Sequence, residues 1–159
     1  MKKLIFPFFL LVTLASPAYS QDEPKVKADW KIVASAKSYY VFIDMNLIKE
    51  TDKNTLVAFQ MRHARTDTRE GQLAKQSDYA SISKIIGAQR AKKVSHEVSL
   101  IEVNCEEYKH RDLRMWLEDE KGNSVFDFPA KQLGKWVTSA RESISGKVIE
   151  AVCAASKDQ

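Results

Sequence analysis

Short runs of alternating apolar and polar residues recur along the chain, and a period of two is typical of β-strands. Polar turns separate these runs, and β-branched and aromatic residues are frequent within them. The predicted strands are residues 30–34, 39–44, 55–65, 94–105, 112–120 and 124–129. The last two flank a Lys-Gly-Asn turn and are predicted to form a hairpin.

The alternation also predicts which side chains share a face. One strand is predicted to place Ser99, Ile101, Val103 and Cys105 on one face, and the next to place Leu113, Met115 and Leu117 on one face. A slip of one residue would move every one of these side chains to the other face.

A late helix is predicted because the apolar period changes from two to about four. Its apolar stripe comprises Ile144, Val148, Ala151, Val152 and Ala155. Thr138 or Ser139 is predicted to cap it, since Glu142 follows Ser139 at the spacing of a capping box. Strands followed by one helix predict an α+β fold, with a single antiparallel sheet of about five to six strands and a C-terminal helix packed on it.

The segment 66–93 is polar and charged, with Gly71, Gly87 and one modestly apolar patch at 79–87. This composition leaves two interpretations, a short helix or a long excursion between strands. A structureless loop of that length is unusual in a domain of 159 residues.

The N-terminus has the pattern of a secretory signal. Lys2 and Lys3 precede an apolar run at 4–15, and Ala18 and Ser20 are small residues at the positions that a signal peptidase reads. We expect a signal peptide at 1–20, a flexible leader at 21–29 and one domain at 30–156. A retained N-terminal anchor is the alternative, and no transmembrane segment is expected after cleavage.

The predicted cleavage changes the charge only slightly. It removes two lysines and leaves 23 basic residues against 21 acidic ones, which does not favour nucleic-acid binding. Export would place Cys105 and Cys153 in an oxidising compartment, either periplasmic or at the cell surface, where one intramolecular disulfide is expected. Two free thiols or intermolecular bridges are the alternatives.

No pattern in the chain predicts catalysis. His63, His96 and His110 show no metal-ligand spacing with one another or with the cysteines. The acidic pairs adjoin turns, and neither a phosphate-binding glycine loop nor a G-x-S-x-G elbow is present. We therefore expect no enzymatic activity, no cofactor and no metal.

Basic residues are concentrated on both sides of 66–93. They are Arg62, Arg65, Arg69, Lys84, Arg90, Lys92 and Lys93. Two such groups around one polar excursion predict a contact surface for an anionic ligand or a glycan. An ordinary solvated surface is the alternative interpretation.

Several features in order resemble the surface-adhesin protein E family. They are Trp30, Tyr39-Tyr40 leading to Ile43-Asp44, the strand ending in Cys105 with Tyr108 after it, Trp136, Ser143 and Val152-Cys153. The resemblance covers about residues 30–155. It implies a small exported domain with a disulfide that ties the C-terminal helix to one antiparallel sheet.

The resemblance also implies a function and partners. The best-known member of that family is a lipid-anchored, dimeric adhesin that binds host proteins such as vitronectin, laminin and plasminogen. The resemblance therefore implies that this chain adheres to host or extracellular-matrix proteins through residues 66–93 and forms a homodimer. The residue directly after the predicted cleavage site is Gln21 and not a cysteine, so we expect no lipid anchor. A periplasmic, envelope-associated protein with a structural or stress role is the alternative.

Overall fold

An antiparallel sheet lies at the centre of the computed structural model, which describes residues 27–157. Its strands are β1 (Trp30–Ser35), β2 (Tyr39–Asp44), β3 (Lys49–Asp52), β4 (Thr55–Ala64), β5 (His96–Asn104), β6 (Lys109–Glu118), β7 (Ser124–Asp127) and β8 (Val137–Thr138). The helices are α1 (Arg69–Ile86), α2 (Ala88–Ala91) and α3 (Ile144–Ala155). Short 3₁₀ turns follow β2 and β7.

Six strands form the main path of the sheet, in the order β1-β2-β4-β5-β6-β7. Each pairs antiparallel with its neighbour, while β3 adds to β4 and β8 adds to β6. The predicted α+β class and single antiparallel sheet are confirmed. The two additional strands escaped the pattern because all four residues of β3 are exposed and β8 has only two residues.

The helix α3 covers one face of the sheet. Its fully buried side chains Val148, Ile149 and Val152 join a core with Val41, Ile43, Leu56, Ala58, Ile101 and Val103. The predicted shared face of Ile101 and Val103 is therefore confirmed. A disulfide joins Cys105, directly after β5, to Cys153 on α3, with a Cα–Cα distance of 5.8 Å. The predicted intramolecular pairing is confirmed.

The start of α3 differs from the prediction. Ser143 is the N-cap, and its hydroxyl accepts a hydrogen bond from the Gly146 amide at 3.0 Å. Thr138 lies in β8 instead, and the Ser139 hydroxyl lies 3.3 Å from the His110 ring nitrogen. A residue held in a strand pair cannot cap a helix six residues later, so the predicted capping box was wrong.

The predicted face that Leu113 shares with Met115 and Leu117 in β6 was also wrong. Leu113 is 37 % exposed. The register between β5 and β6 shifts there, since Leu100 pairs with Arg114 and Ile101 pairs with Asp112. The bulge leaves Leu113 unpaired and places Asp112 on the face that α3 covers.

The segment 66–93 is mostly helical. Thr68 caps α1 by accepting a hydrogen bond from the Gly71 amide at 3.1 Å, and its own hydroxyl donates to the Lys37 carbonyl at 2.8 Å. Gly71 is required because an added Cβ would lie 1.8 Å from the carbonyl oxygen of Arg65. It is also the only buried residue of α1, so the helix projects from the sheet and has little packing of its own.

The predicted signal peptide and most of the predicted leader fall at residues 1–26. They lie outside the residues that the structure describes.

Candidate binding surface

The first group of predicted contact residues lies where β4 leads into α1. Arg65 stacks on the Tyr40 ring, with its guanidinium carbon 4.6 Å from the ring centroid, and binds the Asp67 carboxylate at 2.8 Å. This hydrogen bond raises the pKa of the Arg65 guanidinium and lowers the pKa of Asp67. The side chain therefore ties the entry of α1 to β2 and is already engaged within the domain.

Arg62 is engaged as well. Its guanidinium lies over the Tyr39 ring at 4.8 Å and 3.7 Å from the carboxylate of Asp78 on α1. It pairs across the ladder with Val41 on one side and Glu97 on the other. Arg62 therefore connects α1 to the face of the sheet that carries α3.

Three other predicted residues occupy the opposite end of α1. Lys84 is exposed in the last turn of α1, and Lys92 and Lys93 are exposed directly after α2. Arg69, by contrast, is exposed at the first position of α1. A rise of about 1.5 Å per residue puts the two ends of this 18-residue helix roughly 27 Å apart.

Arg90 belongs to the second end but is anchored. It lies in α2, and its guanidinium donates a hydrogen bond to the carbonyl of Val125 on β7. In contrast, Arg69, Lys84, Lys92 and Lys93 form no ion pair or side-chain hydrogen bond with another residue in the range 27–157. The seven predicted residues thus divide into three that hold the structure and four that are free to contact a partner.

A cavity of about 1200 Å³ lies between α1 and the sheet, and we call it the α1 groove. Arg62, Lys92 and Lys93 line it, together with Tyr79 and Ile82 of α1. The other four predicted residues do not line it. The structure therefore brings Arg62, Lys92 and Lys93 to one groove and leaves Arg69 and Lys84 on the outer surface.

Sequence reasoning missed the acidic residues of this region. Asp78 on α1 and Glu97 on β5 both line the α1 groove beside the basic residues. Burial raises the pKa of the Glu97 carboxyl; Arg62 opposes this shift, while Asp112 and Asp78 add to it. A signal for Glu97 existed, because it shares the alternating face of Ser99 and Ile101.

The model of the surface-adhesin protein E family matches residues 30–154. The chain belongs to the surface-adhesin protein E family. No curated protein and no solved structure matched it.

On the sheet face opposite α3, this adhesin-family domain carries a row of apolar side chains. Ile32, Phe42, Met61, Val98 and Trp116 are successive partners across β1, β2, β4, β5 and β6. The Trp116 ring packs against Phe59 with centroids 6.1 Å apart, and its indole nitrogen donates to Glu118 at 2.5 Å. Val98 and Trp116 of this row are buried, whereas Ile32 at its β1 end is 58 % exposed.

Two histidines lie at the end of the same face. The rings of His63 and His96 have centroids 6.3 Å apart, and His96 lies 3.0 Å from a carboxylate oxygen of Glu118. Burial lowers the pKa of His63, and the positive charges of His96 and Lys75 lower it further. Within residues 27–157 no group of three or more histidine, cysteine or acidic side chains could hold a metal ion.

The described helices of this domain include none that is long and apolar enough to cross a bilayer.

Proposed function

We propose that this domain is an exported, non-enzymatic binding module that attaches to host or extracellular-matrix proteins. Its membership of the surface-adhesin protein E family supports adhesion, and α1 supports the location of the contact surface. A helix with a single buried residue contributes little to the core, so its sequence is free to serve recognition.

The contact surface that we propose consists of Arg69, Lys84, Lys92 and Lys93. These are the predicted basic residues whose charges other described residues do not neutralise. Exposed charges steer a partner during its approach and are screened by salt. Arg62, Arg65 and Arg90 are proposed to hold α1 and α2 in position.

Solid-phase binding to immobilised laminin and vitronectin tests the proposal. The test variant replaces Arg69, Lys84, Lys92 and Lys93 with glutamine. The matched control variant replaces four lysines that are exposed elsewhere on the domain, and it therefore removes the same charge. They are Lys49, Lys53, Lys131 and Lys147. Both should keep the circular-dichroism spectrum and unfolding midpoint of the wild type.

We expect the test variant to lose at least tenfold in binding and to lose the salt dependence, while the control variant changes binding by less than about threefold. Equal losses in both variants would show that only net charge matters. Undiminished binding of the test variant would overturn the proposed surface.

The homodimer implied by the family resemblance stays a prediction. Light scattering coupled to size exclusion tests it directly, and a monomer mass at the concentration used for binding would contradict it.

A further inference from the structure

A second, smaller cavity lies under the N-terminal end of α3, and we call it the α3 gap. Its volume is about 200 Å³. The polar residues Gln60, Glu97, Ser99 and Asp112 line it together with Ile144 and Val148 of α3. Tyr39, Arg62 and Glu97 line both the α3 gap and the α1 groove, so the two cavities adjoin on the same face of the sheet.

Four polar side chains of this gap have no hydrogen-bond or ion-pair partner among the described residues. Gln60, Glu97 and Asp112 form no side-chain hydrogen bond or ion pair with any residue in 27–157. Ser99 is 98 % buried, since only 2 % of its surface is exposed, and its hydroxyl likewise has no hydrogen-bond partner there. Gln60, Glu97 and Asp112 are half-buried, whereas Ser99 is buried. Buried polar groups in proteins are nearly always hydrogen-bonded, so the unpaired Ser99 hydroxyl requires an explanation.

Every fully enclosed side-chain nitrogen or oxygen in the described part of the chain does have a partner. It follows that the unpaired groups keep access to the gap instead of being sealed in the core. The register explains how they come to share one face. Glu97 and Ser99 are two residues apart on β5 and point to the same side, and the bulge in β6 turns Asp112 to that side opposite Ile101.

The charge of the gap is negative. Glu97 and Asp112 contribute two carboxylates. Arg62 also lines the gap but is directed to the Tyr39 ring and to Asp78, and His110, which lines it too, lies 3.3 Å from the Ser139 hydroxyl. Burial, added to repulsion from Asp112, raises the pKa of the Glu97 carboxyl. A cation in the gap would relieve both effects.

We propose that the α3 gap binds a cationic nitrogen, the ammonium or guanidinium group of a basic ligand. Glu97 and Asp112 act as counter-ions, and the Ser99 hydroxyl and Gln60 carboxamide oxygen accept further hydrogen bonds. Val41 and Val148 contact the methylene groups next to the nitrogen. The volume admits a head group and not a folded segment. A metal ion is disfavoured because the described residues hold no suitable ligand cluster.

This chemistry has two sources, the basic side chain of a partner protein or a free amine. The oxidised domain, labelled with nitrogen-15, is titrated separately with Nα-acetyl-lysine methylamide, Nα-acetyl-arginine methylamide, cadaverine and spermidine. Nα-acetyl-norleucine methylamide is the uncharged control for lysine. Amide shifts at Glu97, Ser99, Asp112 and Ile144 report occupancy, and all titrations are done at constant ionic strength.

We expect saturable shifts of these amides with the cationic probes and none with the norleucine probe. Tighter binding of the blocked amino acids supports a partner's side chain, and tighter binding of the free amines supports a small-molecule ligand. Glu97→Gln and Asp112→Asn should each weaken binding at least tenfold. Glu50→Gln, an exposed carboxylate on β3, should leave it unchanged.

Shifts that do not saturate, that also arise with norleucine, or that persist in both gap variants would overturn the proposal. The nitrogen-15 spectrum of each variant verifies that it is folded before titration. The result is independent of the proposed adhesion, because the gap residues are not among the four replaced in the contact-surface variant.

Discussion

Removal of the Cys105–Cys153 disulfide should have the largest effect of any change that leaves the core side chains in place. The bond closes a loop of 48 residues and holds α3 on the sheet beside Val152. The chain-entropy relation for a loop of this length gives a stabilisation of about 4 kcal/mol at 25 °C. This is a large share of the roughly 5–15 kcal/mol that holds an ordinary domain together.

Urea unfolding followed by circular dichroism measures this contribution. The variant with Cys105→Ala and Cys153→Ala is compared with oxidised wild type and with reduced wild type, which controls for the loss of the two sulfur atoms. We expect the free energy of unfolding to fall by about 4 kcal/mol in both the variant and the reduced protein.

The slope of the transition should also rise, because an unfolded chain without the cross-link exposes more surface. A loss below about 1 kcal/mol, or a loss in the variant without one in the reduced wild type, would refute this reasoning. The first result would mean that the burial of α3 alone fixes the helix, and the second that the alanines themselves disturb the packing.

Three further predictions concern individual side chains. Ile149→Ala should lower the free energy of unfolding by about 2–5 kcal/mol in the same urea assay, because Ile149 is fully buried between α3 and the sheet. Gly146→Ala should lower the unfolding midpoint, since the new Cβ would lie 2.1 Å from the carbonyl oxygen of Ala140. The control is Ala154→Gly, at an exposed position on the same helix, which should lower the free energy of unfolding by only about 1 kcal/mol. The pKa of Glu97 in the folded protein lies above its ordinary 4.5, so the folded protein binds this proton more tightly than the unfolded chain does. The free energy of unfolding therefore falls as the pH rises from 4.5 through the raised pKa. Glu97→Gln should therefore raise the melting temperature relative to wild type at pH 8 and have little effect at pH 4, and an equal effect at both pH values would contradict the assignment.

The sheet was predictable because its strands alternate where one face is buried. Alternation alone places Ile101 and Val103 on one face of their strand, and both are fully buried. The same reasoning misplaced Leu113. A bulge depends on how two strands pair, and the alternation within one strand carries no information about that pairing. The cap of α3 failed for a related reason, since pairing of β8 with β6 removed Thr138 from the helix.

The sequence alone does not decide whether α1 is a helix, because helix prediction depends on an apolar stripe and α1 buries almost nothing. Its local signals were present. Thr68 is a favourable N-cap, Glu70 lies in the first turn and Gly87 follows the last residue with a φ of +83°. The absence of proline from 66–93 was a further signal that a helix could continue.

The sequence could identify the basic residues of the candidate surface but not their roles. Arg65 and Lys93 look equivalent in the chain, yet one is paired with Asp67 and the other is free. The α3 gap could not be predicted, because Asp112 faces it only as a consequence of the bulge.

Hydrogen exchange of the domain in complex with immobilised laminin tests most directly where a partner binds. The account predicts slower amide exchange in α1 and in the turn that carries Lys92 and Lys93, with exchange in β3 unchanged. Slower exchange confined to β3, α3 or β7, with α1 exchanging as fast as in the free domain, would contradict the proposed contact surface.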